Sequence, residues 1–193
     1  AYTDFTQLLY AGGTRKAYLM AIIGHLCKVV YGWAVGERAN TDLALEAWES
    51  AKATFRQLEI PYAGMIIHHD QDSVYTGHRW TGQLVLEDQV WLSYTLNGAK
   101  DNPEMESFIG HFKTEGHSLF LEAQTLGELG AVVGAQMCYY NTERRHSSLG
   151  YLAPLTYLQR MRWECRPGDS GQRGQLFELH TLLTAPATTP RAP

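Results

Sequence analysis

Hydrophobic positions follow two rhythms along this chain. Near the start the period is two. Thr3–Tyr10 alternates loosely as far as Gly12-Gly13, and Lys16–Ile23 follows. Lys28–Val35 then sets Val29, Tyr31, Trp33 and Val35 on one face against Val30, Gly32 and Ala34 on the other. Alternation of this kind, broken at a glycine pair, predicts an antiparallel meander of three strands. The period next becomes helical. Asn40-Thr41 is an N-cap signal, and Leu43, Ala47, Ala51, Phe55 and Leu58 recur at helical spacing over Asp42–Leu58, with Pro61 marking the end.

Ala63–His69 is evenly apolar, which predicts a strand buried on both faces. Gly77–Asp88 reads as helix and Val90–Leu96 as a further strand. Asn102 is placed to cap a helix whose first position is Pro103 and which runs to about His117. Leu126–Tyr140 forms another helix, and a short one runs from Pro154 to near Trp163. From Pro167 onward Gly, Pro, Thr and Ala dominate. The expected organisation is therefore one domain over 1–163 and a disordered tail over 164–193. A meander followed by crossovers predicts an α/β architecture, a mixed five-stranded sheet flanked by helices. The order of elements does not by itself select one fold of that class.

The 193 residues are 45% hydrophobic and 19% charged, which excludes a disordered chain. The net charge of -4 excludes a uniformly basic coat that binds nucleic acid by field alone. The charge is unevenly spread: residues 1–106 hold 8 basic and 13 acidic side chains, and residues 107–193 hold 8 and 7. Cys27, Cys138 and Cys165 contain no C-x-x-C pair, so neither a disulfide framework nor a cysteine zinc site is expected. A reducing, cytoplasmic compartment follows. Ala17–Val35 is apolar but carries Gly24, His25, Lys28 and Gly32, which fit two strands better than a membrane span. The chain opens on Ala without a secretion signal, which reads as a fragment or processed product.

Three carboxylates stand apart from ordinary surface charge. Asp4 lies inside the first strand, Asp70 follows the fourth, and Glu106 sits in the first turns of a helix, away from Met105, Phe108 and Phe112. Taken singly, each has an ordinary reading as a turn, cap or surface residue. Together at a strand end they would need a counter-charge, and hard divalent cations supply one. Asp70 and Glu106 are separated by 35 residues, and Lys113 follows Glu106 by seven. Seven residues are close to two helical turns, so Lys113 shares the Glu106 face.

Several blocks in order resemble the integrase core of OrfB-type transposases of bacterial insertion sequences, the IS-three group. They are Thr3-Asp4-Phe5-Thr6, Tyr31-Gly32-Trp33-Ala34, His68-His69-Asp70 through Tyr75-Thr76, Asp101 through Phe108, and Phe112-Lys113-Thr114-Glu115. Tyr140-Asn141, Arg144 through Tyr151, and Pro154 complete them, so the resemblance spans roughly residues 2–160. It implies a ribonuclease-H-like fold on which Asp4, Asp70 and Glu106 form a D-D-35-E triad for Mg²⁺ or Mn²⁺, as two ions. It further implies nicking at a 3′ end of the element, and attack of the freed 3′-OH on another phosphodiester. DNA would be the partner, bound by a multimer in a bacterial cytoplasm at the nucleoid.

The sequence departs from that family at three places. Gly24 replaces an Asp at the end of the second strand, for which altered local packing is expected. After Asp70 the family often reads Arg-Gly-Ser-Gln-Tyr, and Gln71-Asp72-Ser73-Val74-Tyr75 here loses the basic residue and gains Asp72, which makes the site more acidic. Only three residues precede Asp4, so the family's helix-turn-helix recognition module is absent from this stretch.

Other candidates are weaker. His68 and His69 are adjacent in a strand, point to opposite faces and do not share one ion. His111 and His117 are off the spacing of a helical metal pair and read as surface. Arg144, Arg145 and His146, with Tyr139, Tyr140 and Tyr151 near them, suit phosphate contact or base stacking, or else an ordinary basic helix end. Lys113 and these three are the expected DNA-binding residues. Two alternatives to a working transposase core stay open: a folded but inactive relic that still binds DNA, and a related nuclease using the same acids.

Overall fold

A turn at Ala11–Thr14 folds β1 (Tyr2–Tyr10) onto β2 (Arg15–Ile23), and the antiparallel pairing runs from Tyr10 opposite Arg15 to Tyr2 opposite Ile23. Gly12 and Gly13 supply the positive φ values of 64° and 86° that this turn requires. The structure, a computed structural model, describes residues 1–94 and 102–164. The stretch 95–101, which includes the end of the strand expected to reach Leu96, lies outside the described residues, as does the expected tail beyond Glu164.

β3 (Val30–Gly36) pairs with β2 through a register shift: Ile22 faces Gly32, whereas Ile23 faces Val30. Tyr31 is thus an extra residue, a bulge that turns the strand's alternation over. Val29, Tyr31 and Ala34 enter the core on one side of the sheet, while Val30, Trp33 and Val35 pack on the other. The single face expected for Val29, Tyr31, Trp33 and Val35 is therefore split between two cores. Sequence period cannot register a bulge, because it adds one residue on one strand only.

Helix α1 (Thr41–Gln57) starts at Asn40, whose side chain accepts from the Leu43 amide at 3.0 Å, and lies directly on β3. A Cβ at Gly32 would stand 2.3 Å from Ala51 N and 2.4 Å from Ala47 O, so only glycine permits this approach. The chain then crosses to β4 (Ile66–His69), parallel to β1, and later to β5 (Trp91–Tyr94), parallel to β4. The sheet order is β3-β2-β1-β4-β5, the mixed five-stranded sheet expected. β4 is shorter than Ala63–His69 and is not buried on both faces, since Ile67 and His69 are buried and Ile66 is exposed.

The segment expected as helix, Gly77–Asp88, is helical from His78 to Glu87, but its geometry changes partway, and a separate short helix precedes it. Short helices α2 (Ser73–Thr76) and α3 (His78–Thr81) run into a π-helical turn over Gly82–Glu87. Asp88 ends that turn and takes hydrogen bonds from Trp48 Nε1 at 2.7 Å, Gln83 Nε2 at 2.9 Å and Lys52 Nζ at 3.2 Å. Burial pushes the Asp88 carboxyl up, but these three donors outweigh it and hold its pKa below the ordinary value.

Three longer helices follow: α4 (Pro103–Glu122), α5 (Leu126–Thr142) and α6 (Pro154–Glu164). α4 runs past the expected His117 because Phe120 still packs in the core. Met105, Phe108 and Phe112 of α4, with Leu129, Val133 and Met137 of α5, cover Leu8, Leu19, Ala21 and Ile23 on the face opposite α1. Asn141 of α5 holds the main chain of Val30 from both sides, accepting its N–H and donating to its carbonyl, each at 2.9 Å. Among the described residues no helix is long and apolar enough to cross a membrane.

Candidate active site

Sheet register brings two of the three acids to one level. Tyr2 of β1 pairs with His68 of the parallel strand β4, so Asp4 and Asp70, each two residues further on, stand side by side. The pairing is extended at its start by the N-terminal ammonium, which donates to the Ile66 carbonyl at 2.7 Å, and by His68 N–H donating to the Ala1 carbonyl at 2.8 Å. Glu106 approaches from the first turns of α4, exposed and turned away from Met105, Phe108 and Phe112 as expected.

The electrostatics show that the acids sense one another. Asp4 is held up at about 6 from an ordinary 3.8, first by burial, with further upward push from Asp70, Glu106 and Asp72; a hydrogen bond from Phe5 N–H at 2.7 Å opposes the rise. Asp70 Oδ1 accepts from the Asp72 amide at 3.0 Å. Asp72, the acidic departure from the family pattern, caps α2 by accepting from the Val74 amide at 2.9 Å. Among the described residues, none of Asp4, Asp70 and Glu106 forms an ion pair.

The chemistry of this donor set fits a hard divalent cation: oxygen ligands only, excess negative charge and a half-buried carboxyl whose charge is uncompensated. As they stand, no three His, Cys, Asp or Glu side chains among the described residues are grouped closely enough to hold an ion.

The residues around the acids are packed, not charged. His69 is buried, stacks on Tyr75 at 4.5 Å and donates from Nδ1 to the Asp70 carbonyl at 2.7 Å, while burial lowers its pKa. His68 lies against Tyr2 on the other face, so the two histidines do point apart. Asn102 stands at the N-cap of α4 but makes no capping bond with its side chain; its Oδ1 is buried without a partner. A Cβ at Gly24 would meet Cys27 Sγ at 2.8 Å and Tyr31 Cε2 at 2.9 Å, so the Cys27–Tyr31 pair packs tightly beside that glycine.

The expected DNA-binding residues divide between the two flanks of α4. Lys113 is exposed on the same stripe as Glu106. Arg144, Arg145 and His146 lie on the other flank, around a cavity of about 270 Å³ whose α4 wall is Glu104, Ser107 and His111. Lys28 pairs with Glu104 across its mouth. Arg144 grips Glu115 through Nε at 2.9 Å and a terminal nitrogen at 2.7 Å, and lies over the Tyr140 ring at 5.7 Å. Its other terminal nitrogen faces the His146 ring at 3.3 Å. Burial, then the charge of Arg144, lowers His146 to about 4, so its ring is neutral near pH 7. Arg145 is exposed and has no ion-pair partner among the described residues. Sequence reasoning missed Glu104, Glu115 and Asn141 as structural partners, since the contacts bridge 29 to 111 residues.

Comparison with known proteins places the fold. Solved structures that resemble it include the simian T-cell lymphotropic virus intasome in complex with PP2A regulatory subunit B56 gamma, with a TM-score of 0.68 and 12% identity over 90% of this chain and 58% of that one. The catalytic core domain of BIV integrase aligns at 0.55 and 13% identity, covering 86% of this chain and 98% of that one. The HTLV-2 integrase catalytic core domain, solved in complex with magnesium, aligns at 0.52 and 12% identity, covering 80% and 90%. The architecture is that of a ribonuclease-H-like integrase catalytic core.

Residues 93–154 match the integrase core domain family. The transposase for insertion sequence element IS904 of Lactococcus lactis is 31% identical over 80% of this chain and 58% of its own length. The insertion element IS600 uncharacterized 31 kDa protein of Shigella sonnei is 29% identical over 79% of this chain and 52% of its own. The chain is thus similar in sequence to insertion-sequence transposases of the IS-three kind that carry an integrase core. It spans about half the length of these two relatives.

Proposed function

We propose that this chain is the catalytic core of a DNA transposase that nicks DNA and joins strands in a metal-dependent reaction. The observation that carries the reading is the level placement of Asp4 on β1 and Asp70 just past the parallel strand β4, with Glu106 close enough to raise the Asp4 pKa and, among the described residues, no cation partner for any of the three. These three carboxylates would hold Mg²⁺ or Mn²⁺, as two ions. When bound, such ions supply Lewis acidity to the attacking oxygen and offset charge on the leaving one. Asp4 and Asp70 are set by the sheet, Glu106 by α4, and Asp72 stays engaged at its helix cap. Asp4, raised to about 6, is mostly ionised near pH 7 and so offers its charge to a cation. Lys113, on the Glu106 stripe, would hold a phosphate next to the reacting one, and Arg145 is the free cation of the other flank. The DNA partner, a multimeric assembly on it, and a recognition module supplied from outside this stretch belong to the same proposal. A competing reading, a folded but inactive relic, draws on the fact that the carboxylates do not converge on one point as they stand.

The test is nicking and joining on a pre-branched DNA substrate with Mn²⁺, for the unmodified chain and Asp70→Asn, with EDTA as blank. Such a substrate relaxes the need for end recognition. Joining that needs Mn²⁺ and falls by about a thousandfold in Asp70→Asn is the expected result. No joining, together with no Mn²⁺-dependent rise in melting temperature, overturns the proposal in favour of the relic.

A further inference from the structure

The cavity on the far flank of α4 has a definite chemistry once its internal pairs are removed. Lys28 is neutralised by Glu104 and Arg144 by Glu115, and His146 is neutral near pH 7. Among the described residues, what stays without a partner is the Arg145 guanidinium and the hydroxyls of Ser107, Ser147 and Ser148, while the Arg144 edge beside them meets only the neutral His146 ring. This is a set of hydrogen-bond donors carrying one uncompensated positive charge, which is what a phosphate oxygen pair accepts. Its 270 Å³ is too small for most organic ligands and ample for a phosphate with its sugar.

Its position says which phosphate. Ser107 neighbours Glu106, yet the stripe of Glu104, Ser107 and His111 lies across the helix from the stripe of Glu106 and Lys113. A helix with its side chains is about 10 Å across, which is one or two linkages along a strand, because successive phosphates stand farther apart than the axial rise of about 3.4 Å. We propose that this cavity is a second phosphate site, which holds the DNA backbone one or two nucleotides from the phosphate at the acidic cluster. Arg144 is the fixed wall of the site and Arg145 the arm that closes on the phosphodiester. The inference rests on the DNA reading above.

The experiment is a fluorescence-anisotropy titration of the full chain with branched DNA over a NaCl series. It compares the unmodified chain with Arg145→Ala and Lys113→Ala, each first checked for an unchanged melting curve. A second arm scans single uncharged methylphosphonate linkages along the strand, and a third adds inorganic phosphate as competitor. Arg145→Ala is expected to weaken binding about tenfold and to lower the salt slope by about one. One methylphosphonate position, one or two nucleotides from the reacting linkage, is expected to weaken the unmodified chain and leave Arg145→Ala indifferent. Arg145→Ala binding like the unmodified chain while Lys113→Ala binds more weakly overturns the second site and leaves the DNA reading standing. So does equal sensitivity of Arg145→Ala at every position, or competition by millimolar phosphate alone, which would make the cavity a site for free anion. Absence of DNA binding by the unmodified chain removes the DNA reading itself.

Discussion

The two flanks of α4 handle charge in opposite ways. On one, Asp4, Asp70 and Glu106 face one another with no cation among the described residues, and Asp4 is pushed up to about 6. On the other, every buried or half-buried charge has an answer within the protein: Lys28 with Glu104, and Arg144 with Glu115. The acidic flank costs the fold stability and the basic flank contributes to it. Charge left uncompensated at a cleft is arranged for a ligand, whereas charge already paired is arranged for the fold.

Removing charge should therefore move stability in opposite directions on the two sides. Arg144→Ala leaves Glu115 without its donor and Tyr140 without its cation, and is expected to cost about 1–2 kcal/mol, or about 3–6 °C in melting temperature. Asp4→Asn, melted in EDTA at pH 7.5, should instead gain on the order of 1 kcal/mol. With a folded pKa of about 6 against 3.8, Asp4 binds more protons folded than unfolded between those values. Stability thus falls as pH rises through that window, and the gain from Asn should vanish below pH 3.8. Calorimetry at both pH values decides it; losses in both variants would erase the contrast between the flanks.

His146 sharpens the comparison from the basic side. Its pKa is lowered to about 4 from 6.5, so the unfolded chain binds more protons between those values, and stability should decline as pH falls through that range. The expected loss is on the order of 1 kcal/mol, discounted for partial exposure. His146→Gln should flatten the profile between pH 6.5 and 4 in urea melts, and an unchanged slope would place the titration elsewhere. The smallest effect is expected at Lys113: exposed and unpaired, it should leave melting unchanged as Ala and weaken DNA binding about threefold.

Much of the fold was legible because period and punctuation were strong. Gly12-Gly13, Asn40-Thr41, Pro103 and Pro154 each mark a real boundary, and all five strands and the long helices lie where hydrophobic rhythm places them. What the rhythm misread has local causes. The bulge at Tyr31 turned half of β3 over, Ile66 at the start of β4 is exposed, and the helix before Asp88 widens to π geometry and ends where Asp88 gathers Trp48, Lys52 and Gln83. The expected cap at Asn102 failed because its side chain is buried with no bond to the helix.

The acids, too, were visible in the sequence as residue types at a spacing, helped by the family blocks around them. By itself the sequence determined most of the elements, since propensity and period are properties of neighbours along the chain, and its motif blocks carried the family resemblance that singles out Asp4, Asp70 and Glu106 as candidates. Only the tertiary structure decided that Asp4 is the acid with the raised pKa, that Arg144 is spoken for by Glu115 while Arg145 is free, and that the basic residues lie across α4 from Lys113. Those outcomes depend on burial and on contacts between residues far apart in the chain, which no local pattern encodes.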